Sequence, residues 1–200
     1  MTYFPLMLDL RGRPVLLLAG GPETSVKLKA LHGAGARATV LAEEDAIGLE
    51  ALDLEGYFLV ISHPKDKAIH PRVKAEADRR GVFLVAVDDP QNASAILPAV
   101  LRRGELVVAL STSGAAPALA VRLKERLARL FPEAYGELVA FLRTLRPRIA
   151  QIPSFEERKR LWYRIVDQAL EELDLDPREG LGRAKEKAEE ALKEVAAWTR

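Results

Sequence analysis

The residues best suited to chemistry stand where short apolar runs end. Asp88 and Asp89 follow residues 82–87 (VFLVAV) and precede Pro90. Two carboxylates at the mouth of a buried strand can serve as acid or base, because burial and mutual repulsion raise the pKa of one of them. Asp-Asp-Pro is equally good turn chemistry. Gly20 and Gly21, then Pro22 and Glu23, come after residues 15–18 (VLLL). A glycine turn between a strand and a helix lets backbone N–H groups face a pyrophosphate. The spacing departs from G-x-G-x-x-G, with Ala19 at the first glycine place and Thr24 at the third. Read alone, the turn is also a plain strand-to-helix connection. Glu43, Glu44 and Asp45 follow residues 37–41 (RATVL), roughly 20 residues past the glycines, where a carboxylate hydrogen-bonds an adenosine ribose. Such a carboxylate repels a 2′-phosphate and favours NAD over NADP; the same acids also suit a solvated loop. Ser111, Thr112, Ser113 and Gly114 follow another apolar run and precede a helical pattern. Their hydroxyls and free N–H groups suit carboxylates or phosphates, or cap the helix. Arg102 and Arg103 read as anion ligands or as solvated surface, and His63 as a cleft residue or a structural one.

A scaffold must bring these strand ends to one edge. Residues 15–18, 37–41, 57–61, 82–87 and 106–110 read as five strands, the first a continuous apolar run of the kind buried on both faces. Helical patterns separate the first four, with Val26, Leu28 and Leu31 in one and residues 66–80 in another, its regular part starting near Pro71. Strands alternating with helices predict βαβ units, a mainly parallel sheet and an α/β, Rossmann-type domain that binds ligands beyond the carboxyl ends of its strands. After Pro117 the pattern is helical almost to the end. Leu119, Leu123, Leu127 and Leu130 recur at helical spacing, and Ser154–Glu157 (SFEE) is a capping box. The boundary falls near residues 110–115, with a helical region beyond it.

Composition narrows the function. The chain has 200 residues, 48% hydrophobic and 30% charged, with a formal net charge of +1. So small a charge excess argues against nucleic-acid binding. With no cysteine and only His32, His63 and His70, thiol chemistry is excluded and no metal site is expected. No apolar stretch reaches the roughly 18 residues of a membrane span, and the opening residues do not read as a signal peptide. A soluble, cytoplasmic protein is expected.

Ordered segments resemble one known family. They are residues 3–13 (YFPLMLDLRGR), the turn 19–21, Lys27 with Leu31, residues 33–40 (GAGARATV), residues 87–90 (VDDP), residues 96–99 (ILPA), and residues 110–114 followed by Pro117, Leu119, Leu123 and Leu127. Over about residues 3–145 the chain resembles the precorrin-2 dehydrogenase/sirohydrochlorin ferrochelatase family, which includes the N-terminal half of siroheme synthase. It departs from the family pattern at Ala19, Pro22, Glu23, residues 63–66 and Ala95. The resemblance implies NAD-dependent oxidation of precorrin-2 to sirohydrochlorin, and in bifunctional members insertion of ferrous iron. It implies that Asp88 is catalytic and that Pro22, Glu23, Glu43 and Glu44, beside Gly20 and Gly21, bind the cofactor. The Ser111–Gly114 stretch would then meet the many carboxylates of a tetrapyrrole substrate. The resemblance also implies a nucleotide-binding domain over 1–110, a dimerisation region over 111–148 that intertwines two subunits of a homodimer, and a helical C-terminal region over 149–200. Two alternatives stay open: a chelatase alone, and a non-catalytic protein that binds a nucleotide or tetrapyrrole.

Overall fold

The computed structural model describes residues 3–21, 23–48 and 52–198. They run β1 (Pro14–Ala19), α1 (Thr24–Gly33), β2 (Arg37–Ala42), α2 (Glu43–Gly48), β3 (Leu59–His63), α3 (His70–Arg80), β4 (Phe83–Ala86), β5 (Ala99–Arg103), β6 (Leu106–Leu110), α4 (Pro117–Leu130), α5 (Ala134–Ile149), α6 (Phe155–Leu175) and α7 (Gly180–Trp198). Short 3-10 turns at Lys67–Ile69 and Pro90–Asn92 precede α3 and follow β4. Two compact units result, residues 1–97 with 111–116, and residues 98–110 with 117–200.

The first unit is a parallel sheet in the order β2-β1-β3-β4. Its apolar runs are continuous because the central strands are covered on both faces. Successive side chains alternate. Val15, Leu17, Leu59, Ile61 and Val85 meet Leu31 of α1 on one face. Leu16, Leu18, Val60 and Leu84 meet Val73 and Ala77 of α3 and Ala46 of α2 on the other. The expected helix over 66–80 is divided: a 3-10 turn comes first, and α3 starts at His70, with Pro71 fixing its first turn.

The carboxyl edge of this sheet is tied by one buried carboxylate. Glu43, the first residue after β2, is 5% exposed. Its Oε2 accepts the Lys65 N–H at 2.8 Å and its Oε1 the Asp66 N–H at 2.7 Å. The Gly20 N–H donates to the His63 carbonyl at 3.2 Å. A Cβ on Gly20 would stand 2.0 Å from Glu43 Oε2 and 3.0 Å from the Lys65 nitrogen. Glycine is required there because the carboxylate passes through the space a side chain would fill. A polar group this buried persists only when hydrogen-bonded, and the two loop amides supply that.

Leu106–Leu110 is a strand, but not a fifth member of the parallel sheet. It pairs antiparallel with β5 in a separate hairpin, which groups with the helices. The connection is too short for a parallel crossover. Gly104 takes a left-handed φ of 54° at the hairpin tip. In the same unit Ser154 Oγ accepts the Glu157 N–H and starts α6. Leu145, Ile149, Leu161, Ile165, Ala188, Ala191 and Leu192 form the core of α5, α6 and α7. Among the described residues no helix is long and apolar enough to cross a membrane.

Glu172 on α6 is buried and accepts hydrogen bonds from Lys187 and Arg183 of α7. The Lys187 bond first, then the Arg183 bond, lowers its pKa. A carboxylate whose folded pKa is depressed contributes stability that is complete above its unfolded pKa and is lost as pH falls through the folded value.

Two predictions follow from these braces. Gly20→Ala should cost about 1–3 kcal/mol, seen by calorimetry as a Tm several degrees below that of Gly21→Ala, since a Cβ at Gly21 meets nothing within 4 Å. Equal melting of the two variants would contradict the clasp. Glu172→Gln should melt below the parent at pH 7, with the gap closing as pH drops below about 4. A gap that stays constant over that range would show that the ion pairs contribute nothing.

Candidate active site

Asp88 stands just past β4. The Val87 N–H donates to the Ser62 carbonyl at 2.9 Å, prolonging the β3–β4 pairing, and the Asp89 N–H turns back to the Ala86 carbonyl at 3.2 Å. Between them Asp88 adopts φ +57°. Aspartate is among the few non-glycine residues that tolerate this left-handed region. Lys67 Nζ donates to the Asp88 carbonyl at 3.3 Å. The residue is exposed, and no hydrogen bond occupies its carboxylate among the described residues. A proton acceptor needs such a free carboxylate within reach of a ligand.

Asp89 behaves differently. Its Oδ2 accepts from Asn92 Nδ2 at 2.8 Å and from His70 Nδ1 at 2.9 Å. These bonds, Asn92's first, hold the Asp89 carboxyl below the usual aspartate range. For Asp89 the expected upward shift is therefore reversed. Asp88 is exposed rather than buried, and Asp89 is shifted down because donors favour its charged form.

At the glycine turn, both the Thr24 N–H and the Thr24 Oγ1 donate to the Gly21 carbonyl, at 3.2 Å and 2.7 Å. Threonine at the third glycine place thus closes the turn with its own side chain. Pro22 lies outside the described residues. Glu23 is exposed and accepts from Lys27 Nζ at 2.6 Å. That bond lowers the Glu23 pKa. The Lys27 side chain is only 14% exposed, and its Nζ also stands 3.3 Å from His63 Nδ1. Lys27 is not among the site residues expected from the sequence; its spacing of four from Glu23 is the signal that could have found it. Past β2, Glu43 is spent on the amides of Lys65 and Asp66, which leaves Glu44 and Asp45 as the exposed acids of that edge. Room above Gly21, a cation at Lys27 and exposed acids beyond β2 fit a dinucleotide laid across the edge, with pyrophosphate at the turn and ribose at the acids.

The Ser111–Gly114 segment spends part of its polarity on itself. Ser111 Oγ accepts the Ser113 N–H at 3.0 Å, and Thr112 Oγ1 accepts the Ala116 N–H at 3.1 Å. Ser113 and Gly114 have φ of +54° and +83°. The Ser113 hydroxyl is exposed and unused among the described residues. Arg103 has a structural role in the hairpin unit: its guanidinium donates to the carbonyls of Phe131 and Ala128 and pairs with Glu133. Arg102 is exposed.

Residues 6–99 match the model of a putative NAD(P)-binding family, residues 103–130 that of the sirohaem biosynthesis protein central region, and residues 134–195 that of the sirohaem synthase dimerisation region. The chain is 38% identical over 179 residues to siroheme synthase 1 of Yersinia enterocolitica, covering 81% of this chain and 38% of the relative. It is 36% identical over 213 residues to the siroheme synthase of Methylococcus capsulatus, covering 98% of this chain and 44% of the relative. It therefore spans less than half the length of these relatives. The solved structure of SirC, precorrin-2 dehydrogenase, superposes with a TM-score of 0.69 at 28% identity, over 92% of this chain and 100% of that one. With these three regions matched in succession, the chain is similar to siroheme synthases and to precorrin-2 dehydrogenase SirC.

Proposed function

We propose that this chain oxidises precorrin-2 to sirohydrochlorin with NAD. The observation that carries the reading is the free carboxylate of Asp88, held in a left-handed turn on the same sheet edge as the Gly20–Gly21 turn. NAD, when bound, supplies the hydride acceptor. The chain's residues do the rest. Gly21 leaves the pyrophosphate room while Gly20 makes way for Glu43, Lys27 offsets the pyrophosphate charge, and Glu44 accepts from the ribose. Glu43 keeps the edge in place from behind. Asp88 takes the proton that the macrocycle releases as its hydride leaves, so that substrate loses two hydrogens, one as hydride and one as proton. Ser113 and Gly114, with Ser111 and Thr112 shaping their loop, meet substrate carboxylates.

The same carboxylate suits a second step. It can take pyrrole protons as ferrous iron enters sirohydrochlorin, and we propose iron as a substrate of that step. The working unit is a homodimer in the cytoplasm, joined through the helical region. The dimerisation-region match over residues 134–195 supports this, and so does α4, whose apolar residues Leu119, Val121 and Leu130 are 51%, 44% and 66% exposed.

Asp88→Asn keeps the shape and removes the base. NADH formation from precorrin-2 and NAD, followed at 340 nm as the standard NADH band, should fall at least about 100-fold in kcat. The Kd for NAD, measured by calorimetric titration, should stay within about twofold. Parent-like turnover by this variant would remove Asp88 from the reaction. A parent enzyme that forms no NADH would remove the dehydrogenase reading altogether.

A further inference from the structure

His70 is 0% exposed and opens α3. Pro71 follows it and rigidifies that first turn. The His70 Nδ1 lies 2.9 Å from Asp89 Oδ2, the oxygen that also takes the Asn92 amide. The Asn92 N–H returns to the Asp89 carbonyl at 3.2 Å. Three residues earlier on the same segment, Lys67 grips the carbonyl of Asp88. The segment between β3 and α3 therefore holds the Asp88–Asp89 turn at two consecutive residues, one by its backbone and one by its side chain. His70 Nε2 is buried and has no hydrogen-bond partner among the described residues. A histidine is kept here although only one of its nitrogens is satisfied, and a leucine would fill the same apolar space without that cost.

A non-glycine residue in the left-handed region relaxes unless its surroundings over-determine it. We propose that His70 is a positioning residue for the reaction: through Asp89 it holds the turn that aims the Asp88 carboxylate. Nδ1 carries the proton and donates to the Asp89 carboxylate. Charged Asp89 in turn anchors the peptide that follows Asp88. Lys67 holds the carbonyl of that same peptide, and together they fix the turn on the C-terminal side of the acting carboxylate.

This inference rests on the reading of Asp88 as the proton acceptor. The test compares His70→Leu, which fills the space but cannot donate, with His70→Asn, whose amide nitrogen can donate from nearly the same place as Nδ1. Each is measured for Tm, Kd for NAD, and kcat and KM for precorrin-2. His70→Leu should lose about tenfold or more in kcat, because a misplacement of about 1 Å at a reacting group costs up to about 100-fold. Its Kd for NAD should remain within about twofold. His70→Asn should recover kcat to within about threefold of the parent. The proposal is overturned if His70→Leu turns over like the parent, or if both variants lose the same activity in step with their Tm. Should His70→Leu fail to fold, Asp89→Ala removes the same anchor from the exposed side and must show the same loss of kcat at constant NAD affinity. If Asp88→Asn is inactive while these variants are not, the function stands and only the positioning role falls.

Discussion

The candidate site depends on how three loops are arranged around one buried side chain. Glu43 leaves β2, turns inward, and accepts the amides of Lys65 and Asp66 beyond β3, while Gly20 beyond β1 gives way to let it pass. A buried carboxylate without donors would cost several kcal/mol. With two backbone amides it becomes a fixed point between strand ends that carry no covalent link. The groups proposed to touch the cofactor are placed around it. The glycine turn lies on one side, the acids of α2 follow in sequence, and the segment that reaches the Asp88 turn starts from the two amides it holds.

That segment explains why the edge behaves as one site. It leaves Asp66 and offers Lys67 to the Asp88 carbonyl and His70 to the Asp89 carboxylate. Neighbouring aspartates then take separate duties: Asp89 is consumed by donors and stays charged, and Asp88 is free. The same economy holds near the glycine turn, where Glu23 is engaged by Lys27 and Glu44 is left exposed. In each pair one acid builds and the other remains available.

Much of this was legible in the sequence, and the remainder was hidden for physical reasons. The parallel strands announced themselves because strands covered on both faces must be apolar throughout. Asp88 was legible because ligands gather beyond the carboxyl ends of such strands. The ordered family segments supplied the chemistry. The inward role of Glu43 was not legible: an acid after a strand looks the same whether it faces a ribose or two amides 22 and 23 residues further on. The β5–β6 hairpin was half legible, since the run at residues 106–110 has the same pattern in either strand direction, and Arg102 and Arg103 disguise its partner. His70 and Asp89, 19 residues apart, have no shared local period. Only the fold brings them together.

The most direct test of the central claim is a crystal structure of the chain with NAD. The account predicts the pyrophosphate against the Gly20–Glu23 turn, the Glu43 carboxylate still on its two amides, and the nicotinamide on the Asp88 side of the edge with that residue still left-handed. A dinucleotide bound elsewhere, or an Asp88 turn relaxed away from the nicotinamide, would contradict it.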